Sequence, residues 1–214
     1  MTDTPEGCVC VIDDDDEVRG ALASLFRSAG LSALLYESSH AFLAAPLPES
    51  ACCLVLDVRL RDENGLDVQD QLAARDIAIP IVMMTGHGDI PMTVRAMRAG
   101  AIDFLAKPFS DEDMLAAVRR AIAADRALRV SASSAHQLRE AFARLTPRER
   151  EVMGLVVTGL MNKQVAGRLN LSEITVKIHR GNVMRKMAAQ SLADLVRMAE
   201  QLGVRDETIH RYTL

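Results

Sequence analysis

Four short apolar runs in the first half of the chain each stop on a polar residue that chemistry can use. Val9 to Ile12 is closed by Asp13 and Asp14, and Leu54-Val55-Leu56 by Asp57. Ile81 to Met84 is closed by Thr85, and Ile102 to Ala106 by Lys107, just before Pro108. Amphipathic stretches separate the runs, a pattern that reads as buried parallel strands of an α/β unit. In such sheets the crevice outside the carboxyl ends of the strands is where ligands bind. All five polar residues fall at those ends. Three carboxylates, a hydroxyl and an ammonium in one crevice describe a divalent-metal site beside an aspartate that can be phosphorylated.

The strand pattern predicts strands at 8–12, 32–36, 53–56, 79–84 and 102–106. Helices are expected at 15–28, 65–75, 89–99 and 111–125, with a short one capped by Ser38 and ending before Pro46. Val18, Leu22, Leu25 and Phe26 share one face of the first helix. Gly30 and Gly100 sit just past helix ends, where positive φ is often needed. Alternating βα units build a parallel sheet with helices on both faces, so residues 7–125 read as a five-stranded doubly wound α/β domain.

Residues 126–144 form an Ala/Arg/Ser-rich stretch interrupted by Ser131, Ser133 and Ser134, read as a linker with helical ends. After Thr146 everything reads as helical. Thr146-Pro147-Arg148-Glu149 supplies a cap, a proline at the first helical position and a glutamate at the third. Helix 147–158 stops at Gly159, a short helix 162–168 follows, and Asn170-Leu171 makes a tight turn. Ser172 caps helix 173–187, and helix 191–201 precedes Gly203. Residues 145–204 are thus an all-α four-helix helix-turn-helix domain, with a tail at 205–214.

The formal charge of −4 hides a division. Up to Asp125 there are 21 acidic and 10 basic side chains, and after it 8 acidic and 15 basic, so the halves carry −11 and +7. An acidic domain is joined to one that meets a polyanion. The basic half has no aromatic belt or lipidation signal, so nucleic acid is expected rather than a membrane surface. No run approaches the roughly 18 apolar residues of a membrane span. The acidic, polar stretch from Met1 to Gly7 does not look like a signal peptide, and the cytoplasm is the expected compartment. Cys8, Cys10, Cys52 and Cys53 match no zinc spacing. They read as buried thiols, with a Cys10–Cys53 redox pair across neighbouring strands as the alternative.

Asp57 is the expected nucleophile, because carboxylates can form acyl phosphates. The attack brings anions together, so a cation must neutralise charge. Mg²⁺ takes oxygen ligands, keeps several waters and uses one or two carboxylates. Asp14 and Asp57 can supply direct oxygens, with Asp13 acting through water. Lys107 can pair with a phosphoryl oxygen as a compact charge, Thr85 can donate its hydroxyl, and Gly86 leaves room. Asp15 and Asp16 read as helix-cap residues, and His87 as a surface histidine.

Val11-Ile12-Asp13-Asp14, Val55-Leu56-Asp57, Met84-Thr85-Gly86 and Ala106-Lys107-Pro108 resemble the receiver domain of two-component response regulators, over about Gly7 to Asp125. The stretch from Thr85 to Met92 looks particularly like the FixJ subgroup of the FixJ/NarL family. The resemblance implies strand order 2-1-3-4-5, Mg²⁺-dependent phosphoryl transfer from a sensor histidine kinase to Asp57 (Mn²⁺ being a substitute), and a cis peptide before Pro108. It implies a metal contact from the Arg59 carbonyl, and a switch in which Thr85 moves toward the phosphoryl oxygens while Phe104 turns inward. Arg61 departs from the family, which commonly has proline there, and a looser loop after Asp57 is expected.

In the basic half, residues 162–187 read helix, tight turn, helix. The second helix carries Lys177, Arg180, Arg185 and Lys186, with Ile174, Ile178 and Met184 on another face. Such modules place the second helix in the major groove and set flanking cations on phosphates. Leu145 to Val152, Asn162-Lys163-Gln164-Val165-Ala166 and Thr175-Val176-Lys177-Ile178-His179 resemble the LuxR-type output domain, over about Ala141 to Val204. This implies that Thr175, Lys177 and Ile178 face the groove, Arg180 and Gly181 lie near base edges, and Lys163 and Lys186 meet phosphates.

The resulting expectation is a transcription regulator rather than an enzyme acting on outside substrates. It is switched at Asp57, dimerises through residues 89–125, and binds double-stranded promoter DNA and RNA polymerase. The alternatives are a phosphatase-like enzyme using Asp57, an FMN-binding flavodoxin-like domain, and a phosphorylation-independent regulator. Haloacid-dehalogenase-type phosphatases want a second aspartate where Arg59 stands, and Asp13 to Glu17 would repel a flavin phosphate.

Overall fold

The computed structural model describes residues 7–86 and 90–204. The leading segment, His87, Gly88, Asp89 and the 205–214 tail lie outside the described residues. The element order is β1 (Cys8–Ile12), α1 (Asp16–Ser28), β2 (Ser32–Tyr36), α2 (Ser39–Ala44), β3 (Cys52–Asp57), α3 (Gly65–Ala74) and β4 (Ile81–Thr85). There follow α4 (Ile90–Arg98), β5 (Asp103–Ala106), α5 (Asp111–Ala143), α6 (Pro147–Val156), α7 (Asn162–Leu169), α8 (Glu173–Lys186) and α9 (Leu192–Leu202). The chain divides into two compact units at Val130 and Ser131.

The first unit is a five-stranded parallel sheet in the order β2-β1-β3-β4-β5, as expected. Alternate residues of the central strands feed separate cores. Cys10, Ile12, Leu54, Leu56 and Met83 pack on one face, and Val9, Val11, Cys53, Val55 and Met84 on the other. Burial on both faces explains why these strands read as unbroken apolar runs. Leu22 and Phe26 of α1 are buried against the second core, with Val18 and Leu25 beside them. Gly30 and Gly100 adopt φ of +77° and +94°. Cys10 and Cys53 lie on opposite faces of the sheet, so the redox-pair alternative fails. All four cysteines are free and buried, and burial pushes the Cys53 thiol well above its ordinary range.

The register sets the site. Ile12 pairs with Leu56 and Asp57 with Met84, while Thr85 pairs with Ala106. The chain therefore leaves four strands at one edge, carrying Asp13, Asp57, Thr85 and Lys107 with it. Behind Asp57 the loop closes tightly: Arg59 and Asn64 form an isolated bridge, and the Gly65 N–H donates to the Val58 carbonyl at 2.8 Å. A Cβ on Gly65 would overlap the Asp57 carbonyl oxygen and sit 2.9 Å from Val58 Cα. Only glycine lets the start of α3 approach the strand so closely.

One helical expectation needs correction. Where the sequence reads a serine-interrupted linker over 126–144, α5 continues without a break to Ala143. The serines are exposed and cost a helix only tenths of a kcal/mol each, amid good helix formers. On α8, Ile174 and Ile178 stand outside the core, while Val176 and Val183, with Met187 at the cap, pack with Leu145, Val156, Val165 and Leu195.

The capping box at α6 is formed as read. Thr146 Oγ1 accepts from the Glu149 N–H, and the Glu149 carboxylate accepts from the Thr146 N–H. Glu149 also receives the Lys186 ammonium at 2.6 Å. Lys186, with the Thr146 N–H, holds the Glu149 carboxyl below its ordinary value near 4.5, and burial only partly opposes this. A depressed folded value stabilises above the unfolded one and is lost as the pH falls through it. Thermal unfolding of the helical unit should therefore move to lower temperature as the pH falls below about 4.5. Glu149→Gln should flatten that fall, as followed by circular dichroism. In the sheet unit, Gly65→Ala should cost about 1–3 kcal/mol by overpacking in urea unfolding. Gly86→Ala, whose Cβ meets nothing within 4 Å, should cost little.

Candidate functional site

Asp13 and Asp57 are buried and share one cation. Lys107 Nζ donates to Asp13 Oδ2 at 3.0 Å and to Asp57 Oδ2 at 2.5 Å. Each carboxylate uses its other oxygen on a main-chain N–H two residues on: Asp13 Oδ1 accepts from Asp15, and Asp57 Oδ1 from Arg59, at 2.9 and 2.8 Å. Arg19 Nη1 adds a bond to the Asp13 carbonyl at 2.6 Å. Lys107 is fixed in turn by its N–H to the Thr85 carbonyl at 2.7 Å, and its peptide bond to Pro108 is cis, as expected.

The electrostatics follow from burial. Loss of water pushes the Asp13 carboxyl above its usual range, against the opposing pull of the Asp15 N–H and Lys107. For Lys107 burial acts to lower the value, but hydrogen bonds to Asp57 and Asp13 outweigh it and the ammonium is held more firmly protonated. Two anions and one cation leave the pocket short of positive charge.

The expected convergence of three carboxylates is only partly realised. Among the described residues, no group of three or more His, Cys, Asp or Glu side chains is gathered to hold a metal ion. Asp13 and Asp57 turn to Lys107, the nearest counter-charge, while Asp14 stands at the rim with Arg61 Nε 3.9 Å from its Oδ2. Arg61, at the position where the resemblance leads one to expect proline, is thus the residue beside Asp14. Two carboxylates meeting at one cation position still suit a hard divalent ion that keeps most of its water. Arg59 brings its main chain beside Asp57, as its N–H contact records.

Thr85 is fully buried at the end of β4, and Gly86 beyond it is open. Phe104 on β5 is half-buried and packs against the first core. Asp15 caps α1 through the N–H groups of Glu17 and Val18. Gly65 lies outside the site that the sequence predicts, because its position reads simply as a helix start. The Asn64-Gly65 pair soon after Asp57 was the available signal.

In the helical unit, α7 and α8 are joined by a turn in which Asn170 has φ of +53°. Lys163 on α7 and Lys177, Ile178 and Gly181 on α8 are exposed, with Thr175 half-buried beside the Ser172 cap. Arg180 Nη1 donates to Asn162 Oδ1 at 3.2 Å. Lys186 departs from expectation: its ammonium is engaged by Glu149 and the Arg144 carbonyl rather than presented outward. Ile174, on the same face as Ile178, is prominently exposed.

Residues 9–119 match the family described as response regulator receiver domain, and residues 143–199 match bacterial regulatory proteins of the luxR family. Nodulation protein W of Bradyrhizobium diazoefficiens is 54% identical over 92% of this chain and 86% of its own length. The transcriptional regulatory protein FixJ of Azorhizobium caulinodans is 44% identical over 92% of this chain and 93% of its own. The solved structure of the response regulator StyR superposes with a TM-score of 0.84 at 45% identity, over 92% of this chain and 99% of that one. A receiver fold carrying Asp57 at its strand edge, followed by a LuxR-type helical unit, makes this chain a member of the two-component response regulators with a LuxR-type DNA-binding output, alongside FixJ and nodulation protein W.

Proposed function

We propose that Asp57 accepts a phosphoryl group from a sensor histidine kinase in a Mg²⁺-dependent step, and that this favours a dimer which binds promoter DNA. The observation that carries the reading is the pair of buried carboxylates on a single ammonium, with Asp57 Oδ2 2.5 Å from Lys107 Nζ. An Asp57 oxygen attacks phosphorus, the P–N bond to the donor imidazole breaks, and the imidazole leaves as the acyl phosphate forms. Asp57 Oδ1 is oriented by the Arg59 N–H throughout. Lys107 then moves its donors from carboxylate to phosphoryl oxygens, and the Thr85 hydroxyl donates to another. Asp13, Asp14, Asp57 and the Arg59 carbonyl would hold Mg²⁺, or Mn²⁺ in its place, which when bound would supply the positive charge that the pocket lacks.

The surroundings fit this assignment. An apolar trough of about 210 Å³ beside Lys107 is floored by Val18, Ala21 and Leu25 of α1 and by Phe109. It gives a helical kinase partner purchase next to Asp57. On α4, Ile90, Val94 and Met97 are exposed on one side, at spacing i, i+4, i+7. They form the apolar part of the proposed 89–125 dimer surface. Thr85 and Phe104 couple the two. To move such an equilibrium from 1:99 to 99:1, the phosphorylated site must favour one state by about 5.5 kcal/mol.

The exposed cations Lys163 and Lys177 suit phosphate and base edges, with Thr175, Ile178, Arg180 and Gly181 at the groove. RNA polymerase is the partner proposed for transcriptional output, and the cytoplasm the compartment. Among the described residues no helix is long and apolar enough to cross a membrane.

Acetyl phosphate with Mg²⁺ should add one phosphoryl group to the protein by mass and shift it toward dimer, and chelation should abolish both. Asp57→Asn should block both; phosphate-dependent dimerisation that survives in this variant would reject the mechanism. On DNA, if about six phosphates are neutralised per dimer, log K should fall with log salt at a slope near −5. A flat dependence would count against groove docking. Lys163→Ala should weaken all sequences alike, and Lys177→Ala should also alter base preference.

A further inference from the structure

Ile174 and Ile178 are 74% and 59% exposed on successive turns of α8. Neither joins the hydrophobic cluster of the helical unit, which takes Val176, Val183 and Met187 from this part of the chain. Packing therefore does not ask for a large apolar side chain at either position. Helix propensity does not ask for isoleucine either, since β-branching costs χ1 freedom in a helix. The pair stands near the start of the helix, immediately after the Ser172 cap, with Lys177 between the two and exposed Lys163 on α7.

We propose that Ile174, seconded by Ile178, reads the C5-methyl group of thymine in the major groove and is a specificity residue for the DNA site. The inference rests on the DNA-binding reading of α8. In helix-turn-helix modules the first residues of the second helix reach base edges. An isoleucine has no donor or acceptor, so it distinguishes base pairs only through apolar contact. Thymine alone of the four bases presents a methyl there. The neighbouring cations argue for this occupant over a second copy of the chain, whose identical face would set like charges together, whereas a duplex neutralises them.

The test uses the full chain, treated with acetyl phosphate and Mg²⁺, and duplexes enriched by it from a random-sequence library. Each thymine of an enriched duplex is replaced in turn by uracil, which removes only the methyl. At one or two positions the replacement should weaken the wild type about fourfold, the value of one buried methyl-sized group. Ile174→Ala should bind the thymine and uracil forms equally while unfolding at the wild-type temperature, since the side chain supports no core. A wild type indifferent to every replacement overturns the proposal, as does an Ile174→Ala variant that keeps the wild-type preference. A change of oligomer mass in that variant without DNA would assign the face to a second copy instead. Failure to enrich any duplex would remove the DNA-binding reading itself, a result distinct from the others.

Discussion

The ammonium of Lys107 held between Asp13 and Asp57 is the constraint on which the rest of the α/β unit depends. Two carboxylates taken from water are tolerated only because one cation lies within hydrogen-bond reach of both. Losing one partner from such a buried group typically costs about 3–5 kcal/mol, because the remaining charge is stranded. The three residues leave different strands, so the pairing holds only if β1, β3, β4 and β5 keep their register. A one-residue slip would turn a side chain to the opposite face. The arrangement is also incomplete in charge. One negative charge remains in excess, more if Asp14 is included, a balance that suits a hard cation on the proposed reading.

β3 is pinned at both ends, which fixes where movement can occur. At its start the Cys52 N–H donates to the buried Asp125 carboxylate at 2.8 Å, and Arg129 Nε donates to the same oxygen at 2.6 Å. The other Arg129 nitrogens reach the carbonyls of Glu49 and Pro48. At the far end Gly65 presses α3 against the Asp57 main chain, and Arg59 steadies the carboxylate. A strand so held presents the Asp57 carboxylate in one position. Thr85 closes the neighbouring β4, and Phe104 lies on β5 beyond it, half-buried against the first core.

The sheet and its polar edge were legible because their signals are local in sequence. A strand buried on both faces must be an unbroken apolar run, and a residue that closes it stands at the strand end by construction. What could not be read depended on contacts between distant residues. Gly65 matters because of the Asp57 carbonyl, which its own neighbourhood does not announce. The continuity of α5 through three serines reflects exposure, which a composition count does not reveal. Ile174 and Ile178 fit a helical spacing, but Val176 and Val183 fit one equally well. Only the packing against α6 and α7 decides which pair is inside. Asp14 read as a direct metal ligand with Asp13 acting through water, yet the structure buries Asp13 and turns Asp14 to the rim beside Arg61.

The same distinction changes the meaning of the basic half. Its surplus of +7 counts every lysine and arginine alike, but several are engaged within the unit. Lys186 is held by a buried capping glutamate, Arg148 by Glu151 and the Leu169 carbonyl, and Arg180 by Asn162. Cations committed in this way orient α6, α7 and α8 relative to one another and offer less to a polyanion. Lys163 and Lys177 are exposed on adjoining helices and, on the proposed reading, meet phosphates or bases. Affinity for a duplex then depends on where those few charges stand, not on their total. Apolar exposure between them supplies what charge cannot, a contact that differs from one base pair to the next.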